Sequence, residues 1–161
     1  MKVAYLHGLE SKGYGKKNDF LREVFDDVFD PRIAYTKTKG IFSKLAVEIG
    51  TFSPDVIIGS SMGGRFAYHI GNILKIDTIL LNPAIGMCNV PIPIVDTEKE
   101  DTYGVHHHVL LGKNDTIILP HTTEQYLEEN CYSFTIDYHN GGHRTPYELF
   151  VEQVRQHLHK R

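Results

Sequence analysis

The pentapeptide Gly59-Ser60-Ser61-Met62-Gly63 matches the pattern Gly-x-Ser-x-Gly, with Ser61 at its centre. That spacing suits a strand that must reverse into a helix within about one residue, since side chains at the glycine positions would collide across the turn. The central hydroxyl is left exposed beyond the strand's end. A serine hydroxyl is a poor nucleophile near neutral pH, so it needs a base to take its proton and an acid to orient the base. In a strand–elbow–helix architecture the chain order is serine, carboxylate, histidine, each after a later strand. Asp115, in Gly112-Lys113-Asn114-Asp115, and His143, in His139-Asn140-Gly141-Gly142-His143, stand in that order. Ser61 is therefore the candidate nucleophile, His143 the candidate base and Asp115 the candidate acid. His139 is the rival base because it shares the loop with His143, but the Gly141-Gly142 pair favours His143 by letting that side chain swing back over the sheet edge. Asp137 is the rival acid, although it falls inside a strand-like run.

Acyl transfer also needs two backbone N–H donors aimed at the oxyanion, and losing one donor typically costs about 2.7–4 kcal/mol of transition-state stabilisation. Met62, directly after the nucleophile, supplies the first candidate. Leu9 supplies the second, from His7-Gly8-Leu9 after an early strand, where Gly8 lets the backbone turn toward the site. Other chemistries fare less well. Gly8 and Gly13 have the spacing of a phosphate loop, but Tyr14 and Gly15 stand where Lys and Ser or Thr are required; Gly59, Gly63 and Gly64 do not make Gly-x-Gly-x-x-Gly either. His106, His107 and His108 lie in a strand-like run whose side chains alternate between faces, so at most two could converge on a metal ion. No cofactor and no metal is expected.

These residues need strands to carry them and helices to follow. Strand-like runs are expected over residues 2–6, 32–36, 55–59, 78–81, 105–111 and 133–138. Helical spacing of apolar residues is expected over 16–29, 40–50, from Met62 through Phe66 and Ile70 to Ile73, and over 120–129. A last helix starts with Thr145 as N-cap, Pro146 at the first helical position and Glu148 closing a capping box. This alternation predicts an α/β domain spanning residues 1–161, with a mainly parallel sheet of about six strands and helices on both faces. The stretch between Pro83 and Gly104 is about 20 residues without periodicity, a length typical of a lid or binding loop. Ala84, Ile85 and Met87 could line an apolar acyl pocket there, with Pro91–Ile94 as a partial lid.

Tyr5-Leu6-His7-Gly8-Leu9 with its Ser/Gly/Lys loop, the Gly59–Gly64 elbow, Leu81-Asn82-Pro83-Ala84 and Gly141-Gly142-His143 together resemble the YqiA-like esterases, a small branch of the α/β-hydrolase superfamily. The resemblance runs nearly end to end. It implies a serine esterase with Ser61 as nucleophile, Asp115 as acid and His143 as base, acting on a small carboxylic ester or a thioester. Length sharpens this: 161 residues leave no room for a large cap domain, which predicts a shallow, open site. The alternative is a non-catalytic binding or regulatory protein that keeps the hydrolase fold.

Composition narrows the partners. With 17 Lys and Arg against 20 Asp and Glu, net charge −3 and no basic cluster, the chain lacks the electrostatic footprint of a nucleic-acid binder. The apolar run Val3–Leu6 is far shorter than the ~20 residues of a membrane span. Cys88 and Cys131 lie in unrelated segments, so no disulfide framework is expected and a reducing cytoplasm is the expected location.

Overall fold

The computed structural model describes residues 1–86 and 101–158. Within them the strands are β1 (Lys2–Leu6), β2 (Asp27–Phe29), β3 (Val56–Ser60), β4 (Thr78–Leu81), β5 (His107–Gly112) and β6 (Phe134–His139). They form one sheet in the order β2-β1-β3-β4-β5-β6, and every pairing is parallel. The helices are α1 (Lys16–Val24), α2 (Ile41–Phe52), α3 (Met62–Leu74), α4 (Pro120–Asn130) and α5 (Tyr147–Leu158).

Side-chain alternation along the strands divides the core in two. Val3 and Tyr5, with Ile58, Ile79 and Leu110, face Phe20 and Leu21 of α1 and Phe150 and Val154 of α5. Ala4 and Leu6, with Ile57, Leu80 and Val109, face Leu45 and Ile49 of α2, Phe66 and Ile70 of α3 and Leu127 of α4. Because both faces are covered, β3 and β4 are apolar at consecutive positions, the mark of a buried parallel sheet. The described residues form no cap domain, and none of their helices is long and apolar enough to cross a membrane.

One stretch departs from the sequence expectation. The first helix ends at Val24, not near residue 29, because Phe25 is already extended and the chain pairs with β1 over Asp27–Phe29. Residues 32–36, expected as a strand, join no ladder. Ile33 and Tyr35 are still buried at alternate positions, which explains the strand-like pattern. Their polar groups go elsewhere: the Ile33 N–H donates to His7 Nε2 at 2.9 Å, and the Tyr35 hydroxyl donates to the His7 carbonyl at 2.6 Å.

The sheet order places the site. From β1 the chain moves to one side to make β2, then returns to the other side to make β3. β1 and β3 are thus neighbours at the switch in strand order, the place at whose carboxyl ends open α/β sheets bind their ligands.

Candidate active site

Ser61 sits at that switch point, between β3 and α3, with φ 52° and ψ −115°. This left-handed backbone is one that non-glycine residues rarely adopt, and such strain costs on the order of 1–3 kcal/mol. Surrounding bonds hold it. The Ser61 N–H donates to the Leu81 carbonyl at 2.9 Å, while the Ser61 carbonyl accepts from Arg65 and Ala84, each at 3.0 Å. The flanking glycines are sterically required: a β-carbon on Gly59 would lie 2.4 Å from the Gly63 carbonyl oxygen. Gly64 performs the close packing against the next loop, since a β-carbon there would meet that of Pro83 at 2.8 Å.

Three side chains from three loops meet here. His143 Nε2 lies 2.8 Å from Ser61 Oγ, and His143 Nδ1 lies 2.7 Å from Asp115 Oδ2. An ionised carboxylate only accepts, so Nδ1 carries the proton and Nε2 is left as the acceptor for the serine O–H. The other oxygen, Asp115 Oδ1, accepts the N–H groups of Ile117 and Ile118 at 2.8 and 2.9 Å. The acid is thus buried and fully bonded, with its side chain 2% exposed against 16% for His143.

The β1 loop is held just as closely. Because His7 Nε2 accepts from Ile33, its proton is on Nδ1, which donates to the Gly8 carbonyl at 2.7 Å; the Ser11 N–H reaches the same oxygen at 3.1 Å. Gly8 abuts Ser61, since a β-carbon there would lie 3.4 Å from Ser61 Cβ. Met62 is the first residue of α3, so its N–H lies at the positive end of the helix. Leu9 is partly buried and packs on the central core.

The remaining candidates lie elsewhere. His139 is buried with its ring folded onto its own loop, where Nδ1 accepts the Gly141 N–H at 3.1 Å. Burial pushes its imidazole below the ordinary pKa, and the charge of Asp115 pulls weakly the other way. Asp137 lies on β6, 4.0 Å from His157 of α5. His107 turns into the core, bonded to Thr78 and Asn72, whereas His106 and His108 lie together and His108 stacks on His157 at 3.9 Å. Among the described residues no group of three or more His, Cys, Asp or Glu side chains is arranged to hold a metal ion. Ala84 and Ile85 are 3% and 2% exposed, so they offer an acyl group little surface. Met87 and Pro91–Ile94 lie outside the described residues. Two residues without an assigned role in the sequence reading emerge beside the site: His7, which holds the Gly8 carbonyl, and Asn82, buried at the end of β4.

The family model of the Uncharacterised protein family (UPF0227) matches residues 2–115. The chain belongs to this family, the YqiA-like family. The matched span of this YqiA-like chain contains Leu9, Ser61, Met62 and Asp115, and His143 lies beyond it. No curated protein matches the chain. Among solved structures it is similar to a member of the α/β superfamily from Xanthomonas campestris pv. campestris, at 14% identity and TM-score 0.75, covering 99% of each chain. It is also similar to Est1E of Butyrivibrio proteoclasticus with bound ferulic acid, at 13% identity and TM-score 0.69, covering 99% of this chain and 88% of the other. A carboxylesterase from Mesorhizobium loti matches at 14% identity and TM-score 0.62, again covering 99% and 88%. These likenesses establish the α/β-hydrolase fold.

Proposed function

We propose that this protein is a serine hydrolase that cleaves a small carboxylic ester or thioester through an acyl-enzyme on Ser61. The observation that carries this reading is the unbroken relay from Asp115 through His143 to Ser61, with both bonds under 3 Å and the nucleophile on a strained elbow. The carboxylesterase among the structural neighbours supports the same reaction class.

The chemistry follows from the proton positions. Ser61 Oγ attacks the acyl carbon as its proton passes to His143 Nε2, and Asp115 stabilises the imidazolium that results. The oxyanion is met by the N–H groups of Met62 and Leu9. A trans peptide holds its C=O and N–H on opposite sides, so the bonds that fix the Gly8 carbonyl also fix the direction of the Leu9 N–H. His143 gives its proton to the leaving alcohol or thiol as the tetrahedral centre collapses to the acyl-enzyme. Water then attacks with His143 again taking the proton, the carboxylic acid leaves and Ser61 recovers its hydrogen. No step requires an organic cofactor or a metal ion. Among the described residues none forms a cap domain, so small and soluble esters are the substrates to try first.

The test is hydrolysis of p-nitrophenyl acetate together with labelling by a fluorophosphonate. Wild type is expected to turn over and to be modified at Ser61, and Ser61→Ala to lose both. A Ser61→Ala variant with wild-type hydrolysis, or a native protein inert to ester and probe alike, would overturn the reading in favour of a binding protein on a hydrolase fold.

A further inference from the structure

Asn82 follows β4 and stands between the nucleophile's strand and the acid's strand, since β4 lies between β3 and β5 in the sheet. It is 1% exposed and takes φ +44°, a left-handed backbone that asparagine tolerates better than most residues. A buried amide needs partners for one oxygen and two N–H groups. Here they come from both catalytic loops. Asn82 Oδ1 accepts the Gly112 N–H at 2.6 Å, and Nδ2 donates to the His143 carbonyl at 2.8 Å and to Thr145 Oγ1 at 3.2 Å. The orientation is unambiguous because the Gly112 group can only donate and the His143 carbonyl can only accept.

Each partner leads directly to a triad member. Gly112 opens the turn that ends at Asp115, closed by the Asp115 N–H donating to the Gly112 carbonyl at 3.1 Å. His143 is the candidate base itself. The two loops are in close apposition at this point, for a β-carbon on Gly112 would lie 2.4 Å from the Gly142 carbonyl oxygen. No other side chain of this size offers an acceptor and two donors on one rigid plane: aspartate lacks the donors, and leucine lacks both.

We propose that Asn82 is a positioning residue that sets the backbone of His143 relative to the Asp115 turn, so that the imidazole meets both Asp115 and Ser61. The proposal rests on the serine-hydrolase reading for its catalytic consequence, but its structural content is independent of activity. The hydrogen bonds of the Asn82 side chain go to Gly112, Gly142, His143 and Thr145 and to none of the three triad side chains, so its effect passes through the main chain of the two loops.

The experiment uses Asn82→Asp, which keeps the shape and the acceptor for Gly112 but loses the donors, and Asn82→Gly, which suits the left-handed backbone and loses the side chain. In wild type the proton of the 2.7 Å His143–Asp115 bond is expected to give a far-downfield resonance in the proton NMR spectrum, identified by its loss in His143→Gln. That resonance is expected to shift or vanish in a folded Asn82 variant, and kcat for p-nitrophenyl acetate to fall ~10- to 100-fold with KM within about twofold, as for a misplaced base. A folded variant that keeps both the resonance and kcat, losing only thermal stability, would overturn the proposal and leave Asn82 a structural residue. If wild type neither hydrolyses esters nor labels at Ser61, the hydrolase reading fails, and the resonance alone still decides the role of Asn82. Should Asn82→Asp not fold, Asn82→Gly carries the same readouts.

Discussion

A β-carbon on Gly63 would come within 2.0 Å of the Leu6 carbonyl oxygen, so the helix after Ser61 starts in direct backbone contact with the end of β1. That contact brings the Leu9 loop and Ser61 together at the switch in strand order. Gly63→Ala must push α3 and β1 apart, and neither side is a flexible side-chain end. Overpacking of this kind costs about 1–3 kcal/mol, and a misplacement of about 1 Å costs ~10²-fold in rate. Both kcat and the denaturant midpoint are expected to fall. Gly50 in α2 provides the contrast: a β-carbon there lies 3.4 Å from Leu74 Cδ2, an ordinary contact. Gly50→Ala is therefore expected to stabilise by roughly 0.5–1 kcal/mol and to leave kcat unchanged.

The bonds around Asp115 decide what its amide would do. In Asp115→Asn the N–H groups of Ile117 and Ile118 keep an oxygen at the Oδ1 position, which turns the new NH2 toward His143 Nδ1. Nδ1 must then accept, and the ring proton moves to Nε2, where it blocks transfer from Ser61. A loss of about 10⁴ in kcat with intact geometry is expected, the size seen for this tautomer error in a serine protease. A 15N NMR spectrum showing the proton still on Nδ1 would count against this account.

His7 offers a way to disturb the proposed oxyanion donor, the Leu9 N–H, without touching it. His7→Ala removes one of the two donors that fix the Gly8 carbonyl, freeing the Gly8–Leu9 peptide to rotate. The expected result is a fall in kcat toward the ~10²–10³ that a lost oxyanion donor costs, with KM little changed. His7→Asn, whose amide nitrogen can stand in for Nδ1, is expected to recover part of that loss. Equal activity in wild type and His7→Ala would show that the loop is held by Ser11 and packing alone.

What could be read from the sequence was what is local. The elbow at Ser61 announces itself through glycines two residues away, and β3 and β4 through uninterrupted apolar runs. The candidates Ser61, Asp115 and His143 could be ordered because each follows its own strand. Residues 32–36 misled because Ile33 and Tyr35 alternate like a strand, while the N–H that a ladder would use goes to His7 26 residues away. Asn82 stood in the Leu81-Asn82-Pro83-Ala84 motif without a role, since its bonds reach 30 and 61 residues along the chain. Between His139 and His143 the sequence favoured His143 through the glycine pair, and the folded loop shows the physical difference: one ring is turned onto its own backbone, the other out to Ser61.

The buried His139 gives the fold a pH dependence of definite sign. Its pKa in the native state lies below the ordinary 6.5, chiefly because burial disfavours the charged ring. As pH falls through 6.5 the unfolded chain takes up this proton while the native state resists, so the unfolded state binds more protons and native stability declines. The contribution is whole above the unfolded pKa and is lost toward the lower native one. His139→Gln removes it, so the stability difference between wild type and variant should change as pH drops from about 7.5 to about 5, wild type losing ground on acidification. Urea unfolding at a series of pH values measures this directly. Parallel curves for the two proteins across that range would show that His139 titrates alike in both states and that its burial has no energetic consequence.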